Sequence, residues 1–144
     1  MQKGVDYIGI TVVFYCHDGK GNVLLNKRSK HCRDEQGRWD CGGGSMKVGE
    51  TFEQAVRREI MEEYCCEPVS LQFAGVNNVL RKSRRKQTHW IALLFAAQLD
   101  QKKVKIGDPD KMEKIGWFTI DTLPSPLHSK YLEHLEYIKK ADLL

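Results

Sequence analysis

The sequence has few of the features that mark a disordered, membrane-spanning or secreted chain. Only 4 of its 144 residues are proline and 41% are hydrophobic, which argues against a long linker or a disordered chain. The longest fully apolar run covers residues 91–97, whereas a membrane-spanning helix needs about 20 apolar residues. Residues 1–6 lack the apolar core of a signal peptide. We therefore expect one domain, residues 1–144, in a cytoplasmic protein.

The five cysteines, at positions 16, 32, 41, 65 and 66, form no pattern typical of a metal or disulfide site. No two of them have the Cys-x-x-Cys spacing of a zinc site. Cys65 and Cys66 are adjacent, and a bridge between neighbouring residues would be strained. We therefore expect reduced thiols, as in a reducing compartment.

The net charge of +4 is a local feature. Residues 81–86, Arg-Lys-Ser-Arg-Arg-Lys, are called the basic segment here and hold five of the 23 basic residues. Without this segment, 18 basic residues face 19 acidic ones. A general nucleic-acid-binding surface is therefore not expected. The basic segment is either a solvated hairpin tip or a surface that steers polyphosphates or RNA, although it has no interleaved aromatic residues for stacking bases.

Hydrophobic periodicity predicts strands and helices in alternation. The expected strands cover residues 8–15, 23–28, 69–80, 88–98 and 115–120. The first helix begins after Thr51, which forms a capping box with Gln54, and it has ended before Pro68. A final helix is expected over residues 130–143. This order predicts an α/β fold with a mixed sheet between helices.

Three glutamates share one face of the first predicted helix. Glu59, Glu62 and Glu63 stand at i, i+3 and i+4, which places them within a narrow arc beside the apolar face. Carboxylates this close repel one another, and partial burial raises the cost of their ionised forms further. Either their pKa values rise or cations neutralise them, and Mg²⁺ suits such oxygen ligands. The alternative is a solvated acidic face paired with Arg57 and Arg58.

A glycine-rich segment, residues 42–44, precedes this helix, and a glycine-rich turn lets backbone groups approach a ligand. From there the sequence runs Gly44-x5-Glu50-x7-Arg58-Glu59-Ile60-x-Glu62-Glu63. This pattern, within residues 44–66, resembles the signature of the Nudix hydrolases, and so many fixed residues at fixed gaps make a chance match improbable. Trp39, Trp117-Phe118 and Leu123-Pro124 are similar to the usual layout of the family.

Two positions depart from the family pattern. Cys65 replaces a glycine that would end the helix in a left-handed turn, where a residue with a Cβ is strained by ~1 kcal/mol. Gly42 stands where a proline is common, and we expect a more flexible loop there. Neither departure removes a metal ligand.

The resemblance implies a Nudix-type α/β/α sandwich and Mg²⁺-dependent hydrolysis of the pyrophosphate in a nucleoside diphosphate linked to another group, with Mn²⁺ as an alternative ion. It implies that the metal ligands are the carbonyl of Gly44 and the carboxylates of Glu59, Glu62 and Glu63. Glu59 or Glu62 would be the general base. Arg58 and Glu50 would form a pair that holds the helix and the preceding loop together.

The resemblance also implies two substrate-binding positions outside the signature. Arg28 is placed like an arginine that contacts substrate phosphate in some members, with a solvated strand end as the alternative. A further carboxylate is expected before the last strand, from Asp108, Asp110 or Glu113. Asp108-Pro109-Asp110-Lys111 is similar to a Glu-Pro-x-Lys pattern of members that act on nucleoside triphosphates, which favours Asp108; a turn is the alternative.

The implied substrates are small nucleotides. Nucleoside triphosphates would give the monophosphate and pyrophosphate, and ADP-ribose would give AMP and ribose 5-phosphate. The basic segment motivates an RNA 5′-pyrophosphohydrolase as an alternative, and a non-catalytic nucleotide-binding module is an alternative of another class. Trp39 and Trp117 either stack on a nucleobase or pack in the core. The preferred base and a homodimer are left open.

Overall fold

The computed structural model describes residues 1–83 and 85–144. These residues form seven strands: β1 Gly9–His17, β2 Val23–Arg28, β3 Trp39–Asp40, β4 Gly42–Ser45, β5 Ser70–Ser83, β6 Lys86–Gln98 and β7 Met112–Phe118. Two α-helices accompany them, α1 Phe52–Tyr64 and α2 Tyr131–Lys140. Short 3-10 helices cover Gln101–Lys103 and Ile120–Thr122.

The seven strands belong to one mixed sheet. Five of them lie in the order β3-β2-β1-β6-β5, while β4 pairs with β1 and β7 pairs with β2. The central strands β1 and β6 run parallel, with Gly9 opposite Trp90 and His17 opposite Gln98, and the other described pairs are antiparallel. The prediction of a mixed sheet is confirmed.

The two α-helices cover opposite faces of this sheet. Successive residues of β1 face opposite sides, as expected for a strand. Phe14 packs into the core on the side of α1, and Tyr15 packs into the core on the side of α2. Val56 and Ile60 of α1 contribute to the first core, and Ile138 of α2 contributes to the second. The predicted α/β/α sandwich is confirmed.

The first helix has the predicted capping box. The Gln54 amide donates to Thr51 Oγ1 at 3.2 Å, and the Thr51 amide donates to Gln54 Oε1 at 2.9 Å. The helix ends at Cys65, which adopts the left-handed conformation with φ 61° and ψ 28°. The left-handed turn is therefore kept although its glycine is missing. Helical spacing places Phe52 on the same face as Val56 and Ile60, but it is exposed whereas they are buried.

The glycine segment 42–44 is strand rather than the predicted turn. It forms most of β4, with Gly42 opposite Phe14 and Gly44 opposite Val12 of β1. A Cβ at Gly42 would overlap the ring of Phe14. The expectation of a flexible loop at Gly42 is therefore wrong, because the ladder and the close packing of Phe14 hold this segment in place.

The two strands that flank the basic segment 81–86 extend further than predicted. Strands β5 and β6 continue into it, and their pairing extends to Ser83 opposite Lys86. Most of the basic segment therefore lies at the ends of these two strands, and its Arg84 lies outside the described residues.

The C-terminal elements are shorter than predicted or are shifted. Strand β7 covers Met112–Phe118 instead of 115–120, and α2 covers Tyr131–Lys140 instead of 130–143. Leu132 is exposed, whereas Leu135 and Ile138 are buried. All five cysteines are free thiols. None of the helices in the described part of the chain is long and apolar enough to cross a membrane.

Candidate active site

A cavity of about 1230 Å³ lies where β4 meets α1. Its lining includes the glycines 42–44 and the three glutamates that the sequence singled out. The same cavity is lined by charged residues from other parts of the chain, among them Arg28, Asp34, Glu35, Arg81, Asp108 and His128. It thus combines acidic and basic groups in one volume large enough for a nucleotide.

Glu59 lies against the backbone of β4. A Cβ at Gly44 would overlap the Glu59 carboxylate, so only glycine leaves room for it. The Glu59 side chain is 13% exposed and receives a hydrogen bond from Arg58 Nη1 at 2.8 Å. Burial raises the pKa of Glu59 above its usual value, although Arg58 opposes this effect. The site therefore holds a carboxylate whose charge is only partly compensated.

Glu63 is the most strongly perturbed acid of this helix face. Its Oε2 atom is buried and has no hydrogen-bond partner, alone among the buried side-chain oxygens and nitrogens of the described residues. Burial raises the pKa of Glu63 well above its usual value, and the neighbouring Glu59 raises it further, while the amide of Gly43 works against both. A buried polar atom without a partner is costly and points to a missing ligand.

Arg58 connects the acidic face to the loop before the helix. It donates through Nε to Glu50 Oε1 and through Nη2 to Glu50 Oε2, the latter at 3.0 Å. The hydrogen bonds from Arg58 lower the pKa of Glu50 to about 2. Arg58 also donates to the Ser45 carbonyl at 3.1 Å and to Glu62 Oε1 at 3.3 Å. One guanidinium therefore joins β4, the loop and α1.

Two other predicted metal ligands are less enclosed or already bonded. The Glu62 side chain is 52% exposed. The Gly44 carbonyl accepts a hydrogen bond from Thr11 Oγ1 at 2.9 Å. Since a carbonyl oxygen has two lone pairs, this bond leaves one acceptor position.

The donor set suits a hard divalent cation. Within residues 1–83 and 85–144, no three His, Cys, Asp or Glu side chains already converge as a metal cluster. Glu59 and Glu62 are instead bonded to Arg58. The buried Glu63 Oε2 and the partly compensated Glu59 nevertheless offer oxygen ligands with unmet charge, which is the chemistry that Mg²⁺ prefers.

The three candidates for a further carboxylate, Asp108, Asp110 and Glu113, differ in whether they line the cavity. Asp108 lines the cavity, and it lies near enough to Glu63 to raise the pKa of that acid. Its position follows from Gly107, whose amide donates to the Glu63 carbonyl at 2.8 Å. Asp110 and Glu113 are not among the described cavity residues, and Glu113 pairs with Lys27 at 3.9 Å.

The cavity also contains residues that the sequence analysis does not assign to the site. Arg81 belongs to the basic segment, yet it lines the cavity and bonds Glu35 at 2.6 Å. Trp90 lines the cavity, whereas Trp39 and Trp117 are not among its described lining residues and pack in the two cores. The signal for Arg81 would have been strand periodicity continued into the basic segment.

The family comparison agrees with this geometry. The family model of the NUDIX domain matches residues 8–140. The chain belongs to the NUDIX domain family. The Nudix signature noted in the sequence thus runs from β4 through the following loop into α1 of a NUDIX domain, and its Glu59, Glu62 and Glu63 line the cavity.

Curated relatives of this NUDIX chain are longer proteins. The mouse protein named 8-oxo-dGDP phosphatase NUDT18 is 27% identical over 139 residues, which cover 94% of this chain and 39% of that protein. The protein named NAD-capped RNA hydrolase NudC from Citrobacter koseri is 30% identical over 103 residues, or 72% of this chain and 36% of that protein. The chain therefore spans about two fifths of the curated relatives it matches.

Solved structures share the whole NUDIX fold. The MutT NUDIX hydrolase from Burkholderia pseudomallei is 28% identical, with a TM-score of 0.81 over 92% of this chain and 99% of that chain. The NUDIX domain of Shewanella oneidensis NrtR, solved with ADP ribose, is 19% identical, with a TM-score of 0.74 over 94% of this chain and 89% of that chain. At this identity the second likeness concerns the fold alone.

Proposed function

We propose that this NUDIX chain is a Mg²⁺-dependent pyrophosphohydrolase of small nucleotides, acting on a phosphoric anhydride bond. The observation that carries the proposal is the buried Glu63 Oε2, which lacks a partner beside a second partly buried carboxylate, Glu59. Ionised carboxylates that are enclosed in this way lower the stability of the protein unless a bound cation neutralises them. A protein that only binds nucleotide has no need of this cost.

The proposed roles follow from where each group lies. Glu59 and Glu63 would ligate Mg²⁺ directly, Glu62 directly or through water, and the Gly44 carbonyl would supply its remaining acceptor position. Mg²⁺ bound there would neutralise phosphate charge and acidify water. Arg58 orients the carboxylates of Glu59 and Glu62, and it is itself oriented by Glu50.

The proposed reaction is a hydrolysis in which water is the nucleophile. The water oxygen forms a bond to one phosphorus of the pyrophosphate, and the bond from that phosphorus to the bridging oxygen breaks. Glu59 or Glu62 accepts the proton of the attacking water. A nucleoside triphosphate then gives the monophosphate and pyrophosphate, and ADP-ribose gives AMP and ribose 5-phosphate.

An RNA 5′-pyrophosphohydrolase is the second candidate. Lys82, Arg85 and Lys86 are exposed at the hairpin of β5 and β6, and the relatives named NudC act, by their name, on NAD-capped RNA. Replacing Arg85 and Lys86 with Gln tests this candidate, and Lys82 is left unchanged because it also lines the cavity. Loss of RNA cleavage with unchanged cleavage of free nucleotides would support it, and equal losses would assign these side chains to small substrates.

The experiment that tests the proposal is a chromatographic product assay with Mg²⁺. The panel holds canonical and oxidised nucleoside di- and triphosphates, ADP-ribose, nucleotide sugars, a 5′-triphosphorylated RNA and an NAD-capped RNA. Nucleoside monophosphate released from a small nucleotide is the expected result. Cleavage of the RNAs alone would favour the second candidate. Binding of nucleotide without turnover on any substrate would contradict the proposal and favour a nucleotide-binding module.

A further inference from the structure

The family resemblance already implies a phosphate contact for Arg28; we propose that Arg81 completes this binding site for a phosphate group of the substrate, and that Asp34 occupies the site in the free protein. The inference rests on the proposed function, because it specifies how the same cavity holds an anionic substrate. It concerns residues that lie outside the acidic face of α1.

The Asp34 carboxylate bridges the two arginines. Arg28 Nη2 donates to Asp34 Oδ1 at 2.8 Å, and Arg81 Nη1 donates to Asp34 Oδ2 at 3.2 Å. Each guanidinium therefore donates to one oxygen of the same carboxylate. A phosphate group offers the same pair of oxygens with more negative charge, and guanidinium groups bind phosphate through charge-assisted hydrogen bonds of this kind.

The two arginines come from distant parts of the sheet. Arg28 ends β2 and Arg81 lies near the end of β5, and β1 and β6 separate these two strands. Both side chains line the same cavity and are 24% and 29% exposed, respectively. Arg81 also pairs with Glu35 Oε2 at 2.6 Å, whereas Arg28 pairs with Asp34, so among the described ion pairs Asp34 is the carboxylate that both guanidinium groups share. An anion between two partly buried cations offsets their mutual repulsion.

Asp34 is suited to leave the site because another residue holds the loop. The Asp34 side chain is 53% exposed, whereas its neighbour Glu35 is 14% exposed. Glu35 Oε1 accepts from the Ser129 amide at 2.7 Å, and Glu35 Oε2 lies 2.7 Å from His128 Nε2. The loop between β2 and β3 therefore stays attached through Glu35 when the Asp34 carboxylate moves.

If the Asp34 carboxylate occupies the phosphate site in the free protein, it should lower the apparent affinity for phosphate by a measurable factor. The apparent affinity for a phosphate falls by the fraction of time that the site is free of Asp34. Neutralising Asp34 should therefore tighten phosphate binding. If the Asp34 carboxylate only held the loop and the two arginines in place, the same change would weaken phosphate binding or leave it unaffected. Arg28 also donates to the Asp34 backbone carbonyl at 3.2 Å, a bond that Asp34→Asn retains.

The experiment measures binding by calorimetry, with and without Mg²⁺, to a nucleoside triphosphate whose α and β phosphorus atoms are joined by a methylene group. Asp34→Asn should tighten binding about 3-fold or more. Arg81→Gln should weaken it about 10-fold. The controls are Glu67→Gln and Arg57→Gln, which change the net charge equally at an ion pair that is not among the described cavity residues.

The results separate this inference from the proposed function. An Asp34→Asn affinity equal to that of Glu67→Gln, or weaker than wild type, would overturn the inference even if the wild type hydrolyses nucleotides. Absence of both binding and turnover in the wild type would instead overturn the proposed function. A second titration with a 5′-triphosphorylated RNA identifies the source of the phosphate. If Asp34→Asn tightens the binding of RNA alone, the site belongs to RNA. If it tightens the binding of the free nucleotide, the site belongs to small substrates.

Discussion

The carboxylate of Glu59 on α1 lies in the space that a side chain at Gly44 of β4 would fill. The strand and the helix are thus close enough for a backbone carbonyl and a carboxylate to face the same cavity. Arg58 fixes this approach from the helix side through its bond to the Ser45 carbonyl. The geometry of the acidic face therefore depends on the absence of a Cβ at Gly44 as much as on the glutamates themselves.

Gly44→Ala should therefore impair the site without unfolding the protein. The added Cβ would push the Glu59 carboxylate aside, and we expect turnover to fall about 10- to 100-fold, because small misplacements of catalytic groups are costly. Ser45→Ala is the matched control, since it removes only a hydroxyl from the same strand. Steady-state kinetics check the prediction, and an equal loss in both variants would contradict it.

Glu63→Gln should make the metal-free protein more stable. The wild type keeps a buried carboxylate oxygen without a partner, and removing its charge should raise the free energy of unfolding by about 1 kcal/mol at pH 7 in EDTA. Glu62→Gln, at an exposed position, should change it by less than about 0.5 kcal/mol. Urea unfolding measures both, and a clear loss of stability in Glu63→Gln would argue that Glu63 has a structural partner.

Cys65→Gly should stabilise the end of α1. Cys65 has φ 61°, a left-handed conformation that costs a residue with a Cβ about 1 kcal/mol relative to glycine. We expect a gain of up to about 1 kcal/mol, reduced by the greater freedom of glycine in the unfolded chain. Cys65→Ala keeps the Cβ and should show no gain. Equal stability of the two variants in thermal unfolding would contradict this explanation.

Asp18→Ala should give a pH-dependent loss of stability. Partial burial raises the pKa of Asp18, but hydrogen bonds from Asn22, Lys20 and Gln101 outweigh this effect and lower it to about 2. Because the folded pKa lies below the usual 3.8, the stabilisation is complete above that value and disappears as the pH falls towards 2.

The Asp18 prediction is checked by urea unfolding of both proteins between pH 6 and pH 2. Their difference should be about 1 kcal/mol at pH 6 and should shrink below pH 4. A difference that stays constant over this range would show that the Asp18 charge does not stabilise the turn.

The local part of the fold could be predicted from the sequence. The capping box at Thr51 and the spacing of Glu59, Glu62 and Glu63 depend on residues within a few helical turns. Periodicity gives their relative angles on the helix but not which edge of the arc the sheet covers. Glu63 is therefore far more enclosed than Glu62, although the two are adjacent in sequence.

The other part of the cavity depends on contacts that the sequence does not encode locally. Arg28 and Arg81 meet at Asp34 only because β2 and β5 lie in one sheet with a particular register. The glycines of β4 form a strand because they pair with β1 in an antiparallel ladder of backbone hydrogen bonds. Pairing between distant segments depends on the whole arrangement of the sheet, which local propensity does not determine.

We propose the acidic face of α1 as a metal-dependent catalytic site. The most direct test measures wild type and Glu63→Gln side by side, by turnover of the best substrate from the panel and by the shift of Tm with Mg²⁺. We expect a fall in turnover of at least about 100-fold and loss of the Mg²⁺-induced rise in Tm, in a variant that remains folded. Undiminished turnover by Glu63→Gln would contradict the assignment of the site.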